Sequence, residues 1–394
     1  GQLTYLYTDG TRYWYDTHPT VNKLARDRAQ GYRPEEVDGE VVTRLRAAPR
    51  NRDFAAFHVA PAETGDVSDD DQVRVVVLAP DRVHKRAATP TLAQNTALAF
   101  LERRGNAQRL YKNMLIFIAP DEGDTEALRT AVRDFLAWRS IKDEEEQLNL
   151  DAQQRRQVQS SLRTADETVD LRLAVAYSWL LVPTQPDPLG SIDLQAIRIS
   201  GDANIYDRAA RKLHNDGLLI TDWSPDILRM ELERFLWNDQ RGWEVGLKQL
   251  WEYLAQYCYF PRLLNHQVLL AAVQAGVGRL DAPIAYATGK DPDGYHTGIV
   301  HGSISTVYFD DRSLLVHPDR VRRRPAPVAP QPLRGEEETG VPAGSTLPAG
   351  QVAGPGERAT PPPARGEPLL PQAPKLVRYY GRAKIDPQRV ARET

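Results

Sequence analysis

The clearest hydrophobic pattern in the chain is an apolar run from Met114 to Pro120, which is followed at once by a charged segment. The short run is typical of a strand that is buried on both faces. In the charged segment, apolar residues recur every three or four positions, as in an amphipathic helix. We therefore predict a buried strand that leads into a helix, with Asp121 or Asp124 placed to cap it. The periodic positions are Leu128, Val132, Phe135 and Trp138.

A second apolar run, Val73 to Ala79, ends in the same Ala-Pro-Asp sequence as the first. A helical pattern from Thr91 to Arg104 lies between the two runs, and such a strand-helix-strand unit favours a parallel pair of strands. The turns with Asp81 and Asp121 would then lie at one edge of the sheet, where open α/β sheets commonly bind ligands. Phe54 to Ala60 is predicted to be the first strand of this α/β unit.

The sequence after residue 200 is mostly helical. Four helical patterns are followed by an alternating segment from Ile284 to Gly302 that turns at Asp291 to Gly294. Helices followed by a hairpin predict a winged-helix-like module, a fold that often binds DNA. The helix in the recognition position, His266 to Ala275, has no lysine or arginine, so phosphate contacts would have to come from other residues. The helices are predicted at Ile205 to Asn215, Ser224 to Leu236, Gly246 to Phe260 and Asn265 to Ala275.

The predicted fold class is therefore α/β plus mostly helical, arranged in five segments. Two prolines between Thr184 and Gly190 indicate a domain boundary near residue 190. Arg322 to Pro374 holds 13 of the 29 prolines, so we expect a disordered tether there. The segments are 1–50, a β-hairpin and helices packing on an upstream ATPase core; 51–190, a small parallel α/β unit; 191–320, the winged-helix-like module with its hairpin; 321–374, the Pro-rich tether; and 375–394, the start of a further domain.

The composition of the chain limits its domain number, its binding partners and its cellular compartment, but it does not identify a function. With 394 residues, of which 41% are hydrophobic and 26% charged, the chain is long enough for two or three domains with cores. A formal net charge of -3 gives no global attraction to nucleic acid or to acidic membranes. The single cysteine, Cys258, and the lack of a long apolar run lead us to expect a cytoplasmic protein. Aromatic residues between Trp237 and Tyr259 are expected to be core rather than base-stacking surfaces.

Basic residues surround a Gly105-Asn106 turn that precedes the first apolar run. Arg103, Arg104 and Arg109 could contact a phosphate group or a neighbouring subunit, because guanidinium groups match phosphate oxygens with paired hydrogen bonds. The same residues also fit a solvated helix end, where cations interact favourably with the helix dipole. The sequence leaves both interpretations open.

Three further groups of polar residues have both a structural and a functional interpretation, which is metal binding for the first and third groups and catalysis for His58. The Ser68 to Asp71 cluster fits a solvated acidic turn as well as a cation site. His58 lies within an apolar run, where we expect a hydrogen-bonded structural histidine. Histidines recur at His296, His301 and His317, with Asp310 and Asp311 between them. Strand residues five apart, such as His296 and His301, face opposite sides of a sheet, which disfavours a zinc site.

Several separated motifs, in the same order, resemble one bacterial family. The chain looks like the large ATP-binding proteins catalogued as domain of unknown function four-nine-nine, and the likeness covers nearly all of it except the tether. The motifs are the hairpin from Tyr5 to Thr17, Arg104-Gly-Asn with Arg109-Leu-Tyr-Lys-Asn-Met-Leu-Ile-Phe-Ile-Ala-Pro-Asp121, Leu136-Ala-Trp-Arg-Ser-Ile141, Arg211-Lys-Leu with Leu218-Leu-Ile-Thr, Leu250-Trp with Tyr259-Phe-Pro-Arg-Leu263, and Tyr379-Tyr-Gly with Ile385-Asp-Pro387.

The resemblance implies that this chain works beside an ATPase site rather than containing one. The family resembles AAA-type ATPases and lies in phage-defence gene clusters beside DNA methyltransferase-like and helicase-like proteins. It implies that ATP and Mg²⁺ bind an upstream domain, that such proteins or DNA are partners, and that an oligomer can form. The sequence agrees, since it contains no Gly-x-x-x-x-Gly-Lys-Ser/Thr loop, and neither a cofactor nor a family catalytic residue is assigned to it.

Three functions are compatible with these observations. The first is the carboxy-terminal regulatory and assembly region of an AAA-type ATPase in anti-phage defence, coupling nucleotide state to protein or DNA partners. The second is a DNA-binding module that uses the winged-helix-like region and the arginines from Arg320 to Arg324. The third is a metal-dependent phosphoesterase in which Asp81 and Asp121 bind the metal.

Overall fold

The fold is described from a computed structural model that covers residues 5–9, 12–16, 20–86, 90–201 and 203–325, with the backbone alone at 5–16. These residues belong to one unit, Gly1–Pro327, while Val328–Thr394 is assigned to a second. Most of the predicted tether, and all of the predicted start of a further domain, lie outside the described residues. None of the described helices is both long and apolar enough to cross a membrane.

The helices and strands follow the hydrophobic pattern of the sequence. Helices α1 to α9 are Val21–Gly31, Pro34–Ala47, Leu92–Glu102, Glu122–Asp143, Ala152–Ala176, Ile205–Asn215, Pro225–Phe235, Leu247–Gln256 and His266–Val277. Strands β1 to β14 are Tyr5–Asp9, Arg12–Asp16, Ala56–Val59, Arg74–Val77, Arg103–Arg104, Ala107–Gln108, Leu115–Ala119, Trp179–Thr184, Asp193–Arg198, Glu244–Gly246, Ala285–Ala287, Gly289–Lys290, His296–Thr297 and Leu314–Val316.

A five-stranded sheet with the order β3-β4-β7-β8-β9 forms the first half of the fold. Strands β3, β4 and β7 are parallel, whereas β8 and β9 are antiparallel additions. The predicted strand-helix-strand unit is therefore confirmed as β4, α3 and β7. Neighbouring strands follow one another along the chain, so the strand order never reverses and creates no switch-point crevice. The topology thus removes the general reason for expecting a ligand at the edge with Asp81 and Asp121.

Alternation along the strands divides their side chains between two helical layers. Val75 and Ile116 belong to the core that α2, α4 and α5 cover. Val76 and Phe117 point to the other face, where α3 packs. Both central strands are buried on both faces, as the apolar runs predict, and each fully buried Val or Phe contributes about 1.5 to 3 kcal/mol.

The second half packs α6 to α9 against a small antiparallel sheet with the order β10-β14-β11. Along the chain the order is α7, β10, α8, α9, β11 and then β14, which enters the sheet between the two earlier strands. Between β11 and β14, β12 and β13 form a short hairpin. The predicted pairing across Asp291 to Gly294 is present, and Tyr286 also bridges Val300.

Local sequence signals set the helix ends. The side chain of Asp121 accepts a hydrogen bond from the amide of Gly123 at 2.9 Å, so Asp121 is the cap of α4. Asn204 caps α6 and Asn265 caps α9 in the same manner. Pro225 occupies the first turn of α7, where the missing amide hydrogen costs nothing. These four helix starts agree with the predicted ones.

The predicted boundary near residue 190 falls inside the sheet. Pro183 lies within β8, opposite Leu194 of β9, and does not end the strand. Residues 185–192 connect these two strands, so the Pro-rich stretch is a hairpin connection rather than a linker between domains. The sheet therefore continues beyond residue 190, and prolines at the end of an edge hairpin explain the misleading signal.

Candidate functional site

A groove of about 800 Å³ lies between the five-stranded sheet and the helical half. Its walls come from the end of β6 and the segment after it, from the β8 to β9 connection, and from residues between the end of α7 and Tyr259. We call it the tyrosine groove. It is lined by Gln108, Arg109, Leu110, Lys112, Gln185, Pro188, Leu189, Ile192, Leu236, Arg241, Glu244, Val245, Gln249, Tyr253, Gln256, Tyr257 and Tyr259.

Three tyrosines form one wall of this groove. The ring centroids of Tyr253 and Tyr257 are 6.0 Å apart, and those of Tyr257 and Tyr259 are 5.3 Å apart and nearly parallel. Tyr257 follows the last residue of α8 and is 41% exposed. The aromatic residues between Trp237 and Tyr259 were expected to be core, which holds for Trp237 and Trp251 but not for Tyr257. The chain leaves α8 at Tyr257 in an extended conformation, which places this ring at the surface.

Two exposed leucines stand at the rim of the groove. Leu110 is 56% exposed, and its amide donates to the carboxylate of Asp69 at 2.8 Å, which fixes the loop. Leu189 is 97% exposed at the tip of the β8 to β9 connection. That tip is held by Gln185, whose side-chain amide donates to the carbonyls of Pro188 and Gly190 at 3.1 and 2.9 Å. Both leucines are therefore fixed apolar positions at the rim of the groove.

Four charged residues, Arg109, Lys112, Arg241 and Glu244, line the groove. Glu244 pairs with Lys290 and accepts a hydrogen bond from His296 at 3.0 Å. Burial raises the pKa of Glu244, but these two hydrogen bonds outweigh burial and lower the pKa overall. Arg241 donates to the carbonyl of Phe235 at 3.1 Å. The groove therefore offers mainly aromatic, apolar and amide groups to a ligand.

The three arginines predicted as phosphate or inter-subunit contacts occupy two different environments. Arg103 and Arg104 are exposed on β5, next to the Gly105 turn that the sequence predicted. Arg109 is 1% exposed, although it reaches the edge of the groove. Burial lowers the pKa of Arg109, which the charge of Asp69 partly offsets.

The guanidinium of Arg109 is committed to main-chain carbonyls. It donates to Phe100 at 2.6 Å, to Ser68 at 3.0 Å and to Val67 at 3.0 Å. It therefore holds the loop before β4 against the end of α3 and has no face turned to solvent. The structural interpretation replaces the proposed phosphate contact at Arg109, whereas Arg103 and Arg104 remain accessible.

The predicted metal ligands at the sheet edge have other partners. Besides capping α4, Asp121 accepts a hydrogen bond from the indole of Trp179 at 2.8 Å. Asp81 is exposed and pairs with Arg82 at 3.3 Å. In the part of the chain that the structure describes, no group of three or more His, Cys, Asp or Glu residues is arranged to hold a metal ion.

The acidic cluster before β4 acts as a set of structural acceptors. Asp69 accepts from the amides of Leu110 and Tyr111, Asp70 pairs with Arg74 at 3.1 Å, and Asp71 accepts from the indole of Trp251 at 2.6 Å. These bonds tie the loop to the groove wall and to α8. The acidic turn is therefore part of the framework that supports the groove.

The histidines have separate partners. His296 contacts Glu244, His301 contacts the carbonyl of Ala282 at 3.2 Å, and His317 lies between two tryptophan rings. The Nε2 atom of His58 is buried without a hydrogen-bond partner among the described residues.

Comparisons with protein-family models, with curated proteins and with solved structures found no match. The resemblance to the ATP-binding family consequently rests on the sequence motifs and stays a prediction. The groove residues that sequence reasoning missed are Leu189 and the exposed Tyr257. A signal existed for Leu189, since it is a large apolar residue inside a loop rich in proline and glycine.

Proposed function

We propose that this chain is a non-catalytic docking and coupling region, in which the tyrosine groove binds a segment of a partner protein. The observation that carries the proposal is the lining of the groove, where Tyr257 and the rim residues Leu110 and Leu189 are exposed and most lining residues are uncharged. Tyrosine and arginine are enriched at the centres of protein interfaces, and exposed apolar residues there supply binding energy. In line with the family resemblance, the partner would belong to an anti-phage complex that is driven by an upstream AAA-type ATPase.

The helical half supports the same proposal through its connectivity. We infer a winged-helix-like module, because a helix, a strand, two helices and two more strands follow one another and the last strand lies in the middle of the sheet. The helix in the recognition position is α9. Its exposed residues are the uncharged Gln267, Ala271, Gln274 and Ala275. Such a face supplies no cations for phosphate contacts and is better suited to a protein partner.

Coupling requires that a movement of the five-stranded sheet is transmitted to the helical half. Direct hydrogen bonds between these two halves provide such a connection. The hydroxyl of Tyr111, at the entry to β7, donates to Glu252 of α8 at 2.9 Å. Asn113 donates to the carbonyl of Leu254 at 2.8 Å. A segment bound in the groove would touch both halves at once, so its binding would be sensitive to their relative position.

The DNA-binding alternative has one specific observation in its favour, the exposure of Arg322 and Arg323 after β14. Their neighbours weaken it, because Arg324 pairs with Asp293 and Arg320 lies over the ring of Trp243. Direct DNA binding predicts an affinity that falls steeply with salt. Absence of binding at about 50 mM salt, where electrostatic contacts are strongest, would eliminate this alternative.

The docking proposal is tested with the purified chain and with methyltransferase-like and helicase-like proteins of the kind that the family resemblance implies as partners. Leu189→Asp and Tyr257→Ala should each weaken complex formation about tenfold or more, because they change the apolar rim and the aromatic wall. Leu280→Asp is the matched control, since Leu280 is 96% exposed and lies outside the groove lining. Equal loss in the control, or association that no groove variant affects, would contradict the proposal.

A separate measurement tests the absence of catalysis. The purified chain should hydrolyse neither ATP nor a phosphodiester in the presence of Mg²⁺. Hydrolysis that co-purifies with the chain and is abolished by Asp121→Asn would instead support the phosphoesterase alternative.

A further inference from the structure

Strand β3 (Ala56–Val59) is an edge of the five-stranded sheet, with β4 on one side and no strand on the other among the described residues. The amide of Ala60 donates to the carbonyl of Val77 at 2.8 Å. Because alternate residues of a strand bond to opposite sides, this bond indicates which residues of β3 face β4. His58 therefore points its main-chain groups towards β4. Phe57 and Val59 point theirs to the open side, where another strand could pair with them.

This edge lacks the protection that natural sheets usually have. Exposed edges commonly carry charged residues or proline, which discourage pairing with a further strand. The opposite edge, β9, has Asp193 and Arg198 at its ends. Strand β3 consists of Ala, Phe, His and Val and carries no such charge.

A small pocket of about 240 Å³ lies beside the open edge. It is lined by Arg46, Arg50, Phe57, Val59 and Tyr206. The ring of Phe57 packs edge-on against Tyr206 with centroids 4.6 Å apart, and the guanidinium of Arg50 lies over Phe57 at 5.6 Å. The pocket therefore has an aromatic floor and a basic wall, and its volume suits one side chain rather than a drug-sized ligand.

The positive charge at this pocket is not balanced by nearby acids. Arg46, Arg50 and Arg52 are exposed, and no carboxylate among the described residues lies within 4.0 Å of them. Arg44, one turn earlier on α2, instead pairs with Glu40 and with two aspartates of α5.

The closest acidic residues have partners of their own. Asp53 contacts His214 at 2.8 Å, and Asp207 accepts from Asn51 at 2.7 Å. The three arginines therefore have no ion-pair partner among the described residues and lie next to an unpaired strand.

We propose that the open edge of β3 docks an extended acidic segment of a partner protein, which adds to the sheet as a further strand. Main-chain hydrogen bonds to Phe57 and Val59 would provide affinity, as in other cases of strand addition. Alternate side chains of the added strand project over the same face as Phe57 and Val59. A glutamate or aspartate among them would enter the pocket and contact Arg46 and Arg50.

This site is independent of the tyrosine groove. The groove lies at the β8 to β9 connection, whereas β3 is at the far edge of the same sheet. The two docking sites can therefore be tested separately, and loss of one leaves the other in place.

The probe is a fluorescently labelled peptide of about eight residues in which valine and glutamate alternate, a length that matches ordinary strands. Its binding to the full chain is measured by fluorescence anisotropy. We expect saturable binding, no binding of the peptide with lysine in place of glutamate, and a loss of about tenfold or more in the double variant Arg46→Glu, Arg50→Glu. The matched control reverses the same number of charges elsewhere, as Arg322→Glu, Arg323→Glu, and should bind normally.

Strand addition is separated from simple charge attraction by the peptide main chain. Two further probes carry N-methyl groups on all valines or on all glutamates, so that each blocks one edge of the peptide. We expect at least one of them to lose binding, because its donors towards β3 are gone. Equal binding of all three acidic probes would overturn strand addition, and no binding of the unmodified probe up to about 1 mM would overturn the site itself.

Discussion

The guanidinium of Arg262 donates hydrogen bonds to two oxygens of Asn113, its main-chain carbonyl and, at 2.9 Å, its side-chain amide oxygen. The same guanidinium reaches the carbonyls of Leu218 and Pro183, each at 3.1 Å. Asn113 precedes β7, Pro183 lies in β8, and Leu218 follows α6, so one buried side chain connects the sheet to the helical half. Burial lowers the pKa of Arg262 to about 10, since its acceptors are neutral.

Replacement of this arginine should destabilise the whole unit. Arg262→Met retains an apolar stem of similar length but leaves several buried carbonyl oxygens without donors, at a cost of about 1 to 3 kcal/mol each. We expect the free energy of unfolding to fall by about 3 kcal/mol or more. Urea unfolding, followed by circular dichroism and by tryptophan fluorescence, measures this change.

Arg211→Met is the control for that change, because Arg211 is exposed on α6. Its free energy of unfolding should stay within about 0.5 kcal/mol of the unmodified chain. Similar decreases in the free energy of unfolding of both variants would mean that the hydrogen bonds of Arg262 do not stabilise the chain more than an exposed arginine does. Separate transitions for the two probes would show that the halves unfold independently.

A second prediction distinguishes the arginines that the sequence placed together. Arg109→Lys removes a planar group that donates to the carbonyls of Phe100, Ser68 and Val67. A single ammonium cannot reach all three, so we expect a loss of about 2 to 3 kcal/mol in the free energy of unfolding. Arg103→Lys, at an exposed position, should change it by less than about 0.5 kcal/mol. Comparable stability of the two variants in urea unfolding would refute the structural role of Arg109.

The local sequence pattern was sufficient to predict most helices and strands, but it did not predict the long-range contacts that join the sheet to the helical half. The caps at Asp121 and Asn265 and the parallel pair β4 and β7 were predictable, because each depends on neighbouring residues or on simple periodicity. Asn113 and Arg262 are 149 residues apart, and no periodic signal links them. Arg109 shows the same limit, since a sequence reveals a charge but not the carbonyls that fold around it.

The strand β9 was missed for a different reason. Prolines and glycine between Pro183 and Gly190 mark any turn, whether it joins two strands or two domains. Only the pairing of Leu180 with Ile197 and of their neighbours decides between the two, and no local signal in the sequence specifies that pairing. Leu189 lies in this turn and Tyr257 follows the end of α8. The groove that they line therefore could not be predicted from the sequence alone.

A third prediction concerns pH. Burial lowers the pKa of His84 despite the nearby Asp121, and burial also lowers the pKa of His58, helped by Arg74 and Arg109. Both histidines bind protons less readily in the folded than in the unfolded chain, whose histidine pKa is 6.5. The unfolded state therefore gains protons first as the pH falls, and the free energy of unfolding should decrease below pH 6.5 until the lower folded pKa values are passed.

Urea unfolding at a series of pH values between about 7.5 and 5 tests this dependence. His84→Gln keeps a hydrogen-bonding side chain near Thr91 but cannot take up a proton, so its stability should depend less on pH than that of the unmodified chain. His266→Gln, on the partly exposed first turn of α9, serves as the control and should retain the full dependence. A chain whose stability rises as the pH falls through this range would contradict the assignment.

The only cysteine, Cys258, should report opening of the junction next to it. It is buried, and burial raises the pKa of its thiol to about 11, although Arg262 and Lys112 act in the opposite direction. At about pH 8 roughly one thiol in a thousand is therefore ionised in the folded chain, and access to a reagent is also blocked. We expect thiol labelling of the native chain to be slower than that of the urea-unfolded chain by several orders of magnitude.

The Arg262→Met variant turns this slow labelling into a test of the junction. Removal of the guanidinium takes away a charge that favours the Cys258 thiolate, so the pKa of the thiol in the closed state should rise and labelling through that state should slow. Opening of the junction acts in the other direction, and a loss of about 3 kcal/mol would accelerate labelling through open states roughly a hundredfold. Faster labelling of Arg262→Met, with no change in Arg211→Met, would thus identify opening rather than ionisation as the cause. Slower labelling would mean that the region around Cys258 stays closed without Arg262, and the buried hydrogen bonds to Asn113 would not be what holds the two halves together.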